Sequence, residues 1–384
     1  MRIAIFGGSF DPIHSEHVRL VKDAVRVLKL DKLFVMPALS PPHKSRKLAA
    51  DEDRLAMCRL AFEGEEKVTV SDYEISRGGT SYTYLTCKEF KERYPSAELF
   101  FIVGTDMLRN FPTWKNPREI LNCTTLAVCS RGEEKKSLKK DAALFKREFG
   151  KKFVVLNYEG KDVSSTKIRV LAGAGERLTP FVDEKVAKYI EENGLYRVPY
   201  AKEALALEKK HRKEHSLRVA ETALARAKAV GVSEDKALTA ALFHDCAKNI
   251  PSDSPLLNGF RVPEEVPSPV AHQFAGAYLA EKVFGISDEE IINAVRFHTS
   301  GRKGMSTLEK LIFLADMLEP ERNFDGVDRL RESFYQDETL DRCLLLALEE
   351  TLTHLQNKGA SVYRLTQEAY EFYKSQQEKY KNGE

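Results

Sequence analysis

A chain of 384 residues exceeds what one ordinary hydrophobic core holds and is comfortable for two domains. Its 42% hydrophobic and 31% charged residues exclude a disordered or collagenous chain, and no apolar run approaches the roughly eighteen residues of a membrane span. The net charge of +2 hides an asymmetry: residues 1–200 hold 35 basic against 28 acidic side chains, residues 201–384 hold 25 against 30. A mildly basic half suits a phosphate-rich ligand and an acidic half suits bound cations. Neither half has the dense basic stripe of a nucleic-acid binder, so no nucleic acid is expected as a partner. The six cysteines form no CxxC pair, and Met1-Arg2-Ile3-Ala4-Ile5-Phe6 runs straight into glycine without a leader pattern. The expectation is a cytoplasmic protein with reduced thiols and no membrane partner.

In chain order, short β-branched or aromatic runs fall at 3–6, 33–36, 68–70, 99–103, 126–129 and 153–156. Stretches of helical period lie between them, at 18–28, 53–62 and 83–94 among others. Strands spaced by helices predict βαβ units and a parallel sheet covered on both faces. Residues 131–140 carry seven charges in ten and read as a solvated loop or helix face. After 182–196 the strand signals stop; Gly194 suits a helix C-cap and Pro199 interrupts helix before a new charged segment. Helical period then recurs at 219–230, 236–245, 271–284, 291–298, 308–318 and 339–356. The predicted fold is a Rossmann-like α/β domain over 1–197 followed by an all-α domain over 203–375.

The first strand ends in Gly7-Gly8-Ser9-Phe10-Asp11-Pro12-Ile13-His14-Ser15-Glu16-His17. Glycines after a strand let backbone amides approach a phosphate, and a helix N-terminus adds partial positive charge. A bare double-glycine turn is usually only a turn. Two histidines three apart at a helix start share one face and can reach one ligand.

With these histidines the sequence resembles the HxGH nucleotidyltransferases. Later segments narrow the resemblance: Pro41-Pro42-His43-Lys44, Ser76–Thr83 with Ser81-Tyr82-Thr83, Gly104-Thr105-Asp106, Phe111-Pro112-Thr113-Trp114 and Ser164-Ser165-Thr166-Lys167-Ile168-Arg169. Together they are similar to bacterial nicotinate-mononucleotide adenylyltransferases over about 1–197. The resemblance implies ATP with Mg²⁺ and nicotinate mononucleotide as substrates. It places Gly7, Gly8, Ser9 and Phe10 at ATP, and His14, His17 and Lys44 on its phosphates, with His17 the main transition-state stabiliser. Ser164, Ser165 and Thr166 with Arg169 would hold the outer phosphates, and Gly104 and Asp106 the adenosine. Tyr82, Thr83 and Trp114 would hold the nicotinate, and His43 would shape its loop. Glu16 stands where that family has glycine. It is expected either to crowd the nucleotide or to point outward along the helix.

The second half holds six of the nine histidines. His215, His244-Asp245, His272, His298 and Asp316 fall on different predicted helices, and imidazoles with carboxylates are what a borderline divalent metal takes. His211 and His354 read as ordinary helix-face histidines. The ordered set resembles the HD superfamily of metal-dependent phosphohydrolases. Phe243–Lys248, His298–Met305 and Ala315–Arg322 narrow it to the symmetrical diadenosine tetraphosphate hydrolases. The resemblance implies two metals, iron first with manganese or cobalt as alternatives, and a bridging Asp245. Lys248 and Arg302 would contact the polyphosphate of diadenosine tetraphosphate or a related nucleotide. Phosphatase action on other nucleotides, or dinucleotide sensing that regulates the neighbouring domain, are the alternatives for this half.

Overall fold

The computed structural model describes residues 1–39, 49–131, 135–158, 160–161 and 163–382. The chain divides into two compact units. One comprises Met1–Ile168 and Leu178–Leu195, the other Arg169–Arg177 and Tyr196–Glu384.

The first unit begins β1 (Arg2–Gly8), α1 (Ser15–Val27), β2 (Lys32–Pro37), α2 (Asp51–Ala61) and β3 (Val68–Val70). Next come α3 (Tyr73–Arg77), α4 (Thr83–Arg93), β4 (Glu98–Gly104), α5 (Thr105–Asn110) and α6 (Pro117–Cys123). It continues with β5 (Thr125–Arg131), α7 (Lys135–Phe149), β6 (Val154–Tyr158), α8 (Ser165–Gly173) and α9 (Glu184–Glu192). All six strands are parallel, in the order β3-β2-β1-β4-β5-β6. Strands β1, β2 and β4 are nearly continuous apolar runs because helices cover the sheet. Ile3, Ile5, Phe34, Phe101 and Val128 lie in a core with Phe90 and Phe111. The charged stretch after β5 continues into helix α7. Winding reverses between β1 and β4, which pair with Ile5 opposite Phe101. Ligands of doubly wound sheets bind at the carboxyl ends of strands flanking such a reversal.

The second unit is helical: α10 (Ala201–Ala206), α11 (Lys210–Ala227), α12 (Glu234–Phe243), α13 (Ala271–Tyr278) and α14 (Glu289–Arg296). It ends with α15 (Thr307–Leu318), α16 (Val327–Gln336), α17 (Asp341–Asn357) and α18 (Arg364–Asn382). Helix α15 starts on a capping box between Ser306 and Glu309. The end of α8 groups with this unit because Val170 and Ala174 join its core. A boundary drawn at 197 therefore differs from the packing over 169–177. Among the described residues no helix is long and apolar enough to cross a membrane.

Candidate active sites

At the end of β1 the chain must turn tightly beneath an aromatic ring. A Cβ on Gly8 would lie 3.1 Å from the Phe10 ring, so glycine lets that ring fold back, where it is 2% exposed. His14 then caps α1. Its Nδ1 accepts from the His17 amide at 3.4 Å, and His17 Nδ1 accepts from the His14 amide at 3.3 Å. A ring nitrogen that accepts a hydrogen bond carries no proton, so each neutral imidazole keeps its proton on Nε2. The rings stack with centroids 3.6 Å apart, and the Phe10 edge meets His17 at 5.2 Å. The turn thus sets two oriented imidazoles at one helix start.

This turn is held from behind by Arg54. The side chain is fully buried; one guanidinium nitrogen donates to Ser9 O at 2.6 Å, another to Ala38 O at 2.7 Å, and Asp51 is its counter-ion. Asp11 accepts from the Ala49 amide at 3.2 Å. Sequence reading passed over Arg54. The available signal was its place on the same α2 face as buried Met57 and Cys58.

Glu16 follows neither expectation. It is 5% exposed and turns toward β6, where its carboxylate accepts from the Tyr158 hydroxyl and, at 2.8 Å, from the Lys161 amide. On the other flank of the reversal, a Cβ on Gly104 would lie 2.6 Å from Asp106 Oδ1; glycine leaves room for the exposed aspartate to fold back on the strand end. Tyr82 precedes α4 and is exposed, Thr83 opens that helix, and Trp114 packs on Phe111 at 5.3 Å. Ser164 Oγ accepts from the Lys167 amide at 3.1 Å, as a helix cap does, and Ser165 Oγ donates to Pro12 O at 2.9 Å. Arg169 belongs to the second unit, where it is buried and pairs with Glu234 at 3.1 Å. His43 and Lys44 lie outside the described residues.

In the second unit the six candidate ligands converge. His215 on α11 meets Asp316 on α15 at 2.8 Å. Asp245 Oδ1 lies 3.2 Å from His272 Nε2 and 3.5 Å from His298 Nε2, and Oδ2 lies 3.7 Å from His244 Nε2. His272 and His298 face each other through Nε2 atoms 3.2 Å apart. Two triads result, His215–His244–Asp316 and His244–Asp245–His298, each with donor atoms within 4.8 Å of one another. His244 and His298 fix their rings by Nδ1 contacts to the Ala241 and Val295 carbonyls at 2.6 and 2.8 Å. Their Nε2 atoms are thereby aimed inward. His244 Nε2 is buried with no hydrogen-bond partner among the described residues. An orphaned buried imidazole nitrogen beside carboxylates is costly without a cation, so this donor set fits a divalent metal. His211 is exposed on α11 and His354 on α17.

The electrostatics agree for His244 and His272, whereas at His215 burial is outweighed by the Asp316 and Glu319 carboxylates, which raise it. Burial pushes His244 and His272 down to about 4, keeping them neutral as metal ligands must be. Burial would raise Asp245, but the imidazoles around it, His244 foremost, hold it well below the usual carboxylate range. Several partners were not anticipated from sequence. Glu319 accepts at 3.1 Å from His215 Nδ1, fixing that ring from behind. Arg212 pairs with Asp245, and Arg322 with Asp316 at 2.8 Å. Lys248 Nζ sits 3.0 Å from His272 Nε2.

Arg302 is directed elsewhere. Its guanidinium grips the buried Glu309 carboxylate at 2.6 and 3.0 Å, beneath the α15 capping box. Arg302→Ala should therefore cost about 1–2 kcal/mol of stability, because Glu309 loses two donors and keeps the Ser306 amide. Metal content measured on the same sample should stay at the wild-type level. Lost hydrolysis at unchanged stability would instead return Arg302 to the substrate.

Comparison with known proteins fits these two sites. Residues 5–171 match the cytidylyltransferase-like family model and residues 212–321 the HD domain model. A Clostridium tetani protein named "Probable nicotinate-nucleotide adenylyltransferase" is 38% identical over 200 residues, 50% of this chain and 98% of the relative. A Mycoplasma genitalium protein named "Probable nicotinate-nucleotide adenylyltransferase/Ap4A hydrolase" is 32% identical over 325 residues, 84% of this chain and 88% of its own length. The chain belongs to the nicotinate-nucleotide adenylyltransferase/Ap4A hydrolase family. A second family member, from Mycoplasma pneumoniae, is 31% identical and matches 83% of this chain and 88% of its own. Membership spans both units, so the histidine turn and the histidine–aspartate cluster fall within the matched family models.

Proposed function

We propose that the first unit transfers the adenylyl group of Mg²⁺-ATP to nicotinate mononucleotide. The products are nicotinate adenine dinucleotide and pyrophosphate. The observation that carries this reading is the reciprocally capped pair His14 and His17 at the α1 start, beside the sheet's winding reversal. No protein nucleophile is needed. The phosphate oxygen of nicotinate mononucleotide attacks the α-phosphorus of ATP, and the protein aligns the partners and stabilises spreading charge. His14 and His17 donate to the phosphate oxygens, with Lys44 as a further contact. Ser164–Thr166, at the start of α8, contact the outer phosphates. Asp106 accepts from the ribose, and Tyr82, Thr83 and Trp114 hold the nicotinate.

For the second unit we propose symmetrical hydrolysis of diadenosine tetraphosphate to two ADP. His215, His244, Asp245, His272, His298 and Asp316 would hold two iron ions, with manganese or cobalt as alternatives. Such a pair, when bound, supplies the activated nucleophile and neutralises the phosphates. Asp245, with Oδ1 toward His272 and Oδ2 toward His244, would be the carboxylate shared by the two ions. Arg212 and Arg322, paired with Asp245 and Asp316, and Lys248 beside His272 would meet the polyphosphate.

The full chain should form pyrophosphate from ATP only when nicotinate mononucleotide is present. On a nucleotide panel it should release ADP alone from diadenosine tetraphosphate. ATP plus AMP among the products, or no cleavage of this substrate beside cleavage of another nucleotide, would reassign the second unit. Metal analysis on the same sample identifies the ion.

A further inference from the structure

A carboxylate buried at the second position of α1 needs donors, and Glu16 finds both on a segment about 140 residues away in sequence. Its Oε2 takes the Tyr158 hydroxyl and the Lys161 amide, and Arg19, one turn along α1, covers the Tyr158 ring at 5.4 Å. Gly160 makes the approach possible: a Cβ there would lie 2.5 Å from the Tyr158 ring and 3.0 Å from Glu16 Oε2. Four residues beyond Lys161, Ser165 Oγ reaches back to Pro12 O at 2.9 Å. The chain from β6 to α8 is thus fastened to the histidine turn at both ends.

We propose that Glu16 is a positioning residue for adenylyl transfer. By clamping Tyr158 and Lys161 it fixes the start of α8 against the His14–His17 turn, so that one ATP triphosphate meets both. The inference rests on the reading of Ser164–Thr166 as the outer phosphate site. It accounts for a glutamate where the resembled family carries glycine: the clamp replaces close packing with a hydrogen-bonded brace. The clamp binds no substrate atom itself. Its loss acts on how tightly ATP is held, and the nicotinate side of the crevice keeps its own contacts.

The test uses the full chain. Glu16→Ala should raise the KM for ATP by about 10-fold, the worth of one or two buried charge-assisted hydrogen bonds. The KM for nicotinate mononucleotide should move less than about 2-fold. Amide exchange over 160–168 should quicken in the same variant. Tyr158→Phe removes one of the two donors and should give a smaller shift in the same direction. Glu16→Gln keeps an acceptor oxygen and should return the ATP KM to near wild type. Unchanged ATP KM in Glu16→Ala and Tyr158→Phe overturns the proposal, and so does faster exchange at unchanged ATP KM. If Glu16→Ala fails to melt cooperatively, Tyr158→Phe and Glu16→Gln decide. If the wild type forms no dinucleotide, the adenylyl-transfer reading fails on its own. Affinity for a non-hydrolysable ATP, wild type against Tyr158→Phe, then decides whether the clamp orders a phosphate site.

Discussion

His17→Ala is expected to lower kcat for adenylyl transfer by about 10²–10³-fold, the scale of removing one preorganised donor from a transition state. The histidine has two jobs, and the geometry separates them. Nδ1 accepts from the His14 amide and completes the helix cap, and Nε2 is the nitrogen assigned to the phosphate. Asparagine places an acceptor near the Nδ1 position without reaching further; glutamine places a donor near the Nε2 position. His17→Asn should therefore keep the cap and lose the rate, falling with His17→Ala. His17→Gln should retain more of it. Pyrophosphate release under saturating substrates reads the effect, with thermal melting as the control for the cap. Metal content should not change in any of the three, because the metal ligands belong to the other unit. Wild-type kcat in His17→Asn would confine His17 to capping α1.

The sheet was legible because each strand is an apolar run bounded by turn residues, and all six runs became strands. The candidate metal cluster was legible for a different reason. Each histidine or aspartate alone was weak evidence, and the ordered set became readable through its resemblance to the HD superfamily. What sequence could not show was the direction of long polar side chains. Arg302 sits in a glycine-flanked loop as a phosphate-binding arginine would, yet Glu309 seven residues later claims both arms of its fork. Arg169 lies in a motif that suggested phosphate, but Glu234 holds it. Glu16 had two local options, inward on the nucleotide or outward to solvent. The third, a hydrogen bond to Tyr158, depends on which strand lies beside α1. In each case the partner is set by tertiary packing, which period and motif do not encode.

Asp245→Ala should remove nearly all metal and nearly all hydrolysis, a larger effect than any other single change in the second unit. The reason is positional. Oδ1 faces His272 and His298, Oδ2 faces His244, and His244 in turn shares a triad with His215 and Asp316. One side chain therefore touches His272, His298 and the His244 that both triads share, and its loss takes away both oxygens. It also strands Arg212, leaving its positive charge uncompensated where a cation would bind. His272→Ala and His298→Ala touch one group only, so each should halve the metal per chain and leave the His215–Asp316 ion in place. Loss of Glu319, which orients His215 through Nδ1, should be milder, about 10–100-fold in affinity, the usual cost of removing an outer partner. His211 is exposed and contributes no donor to either triad, so His211→Ala should keep full stoichiometry. Metal per chain, measured across these variants, distinguishes one ion from two. A wild type with one tightly held ion, and a His298→Ala that keeps it with full activity, would remove the second ion from the mechanism. Catalysis would then rest on a mononuclear centre of His215, His244, Asp245 and Asp316. His272 would pass to Lys248, which already contacts its ring, as part of the surface that receives the polyphosphate.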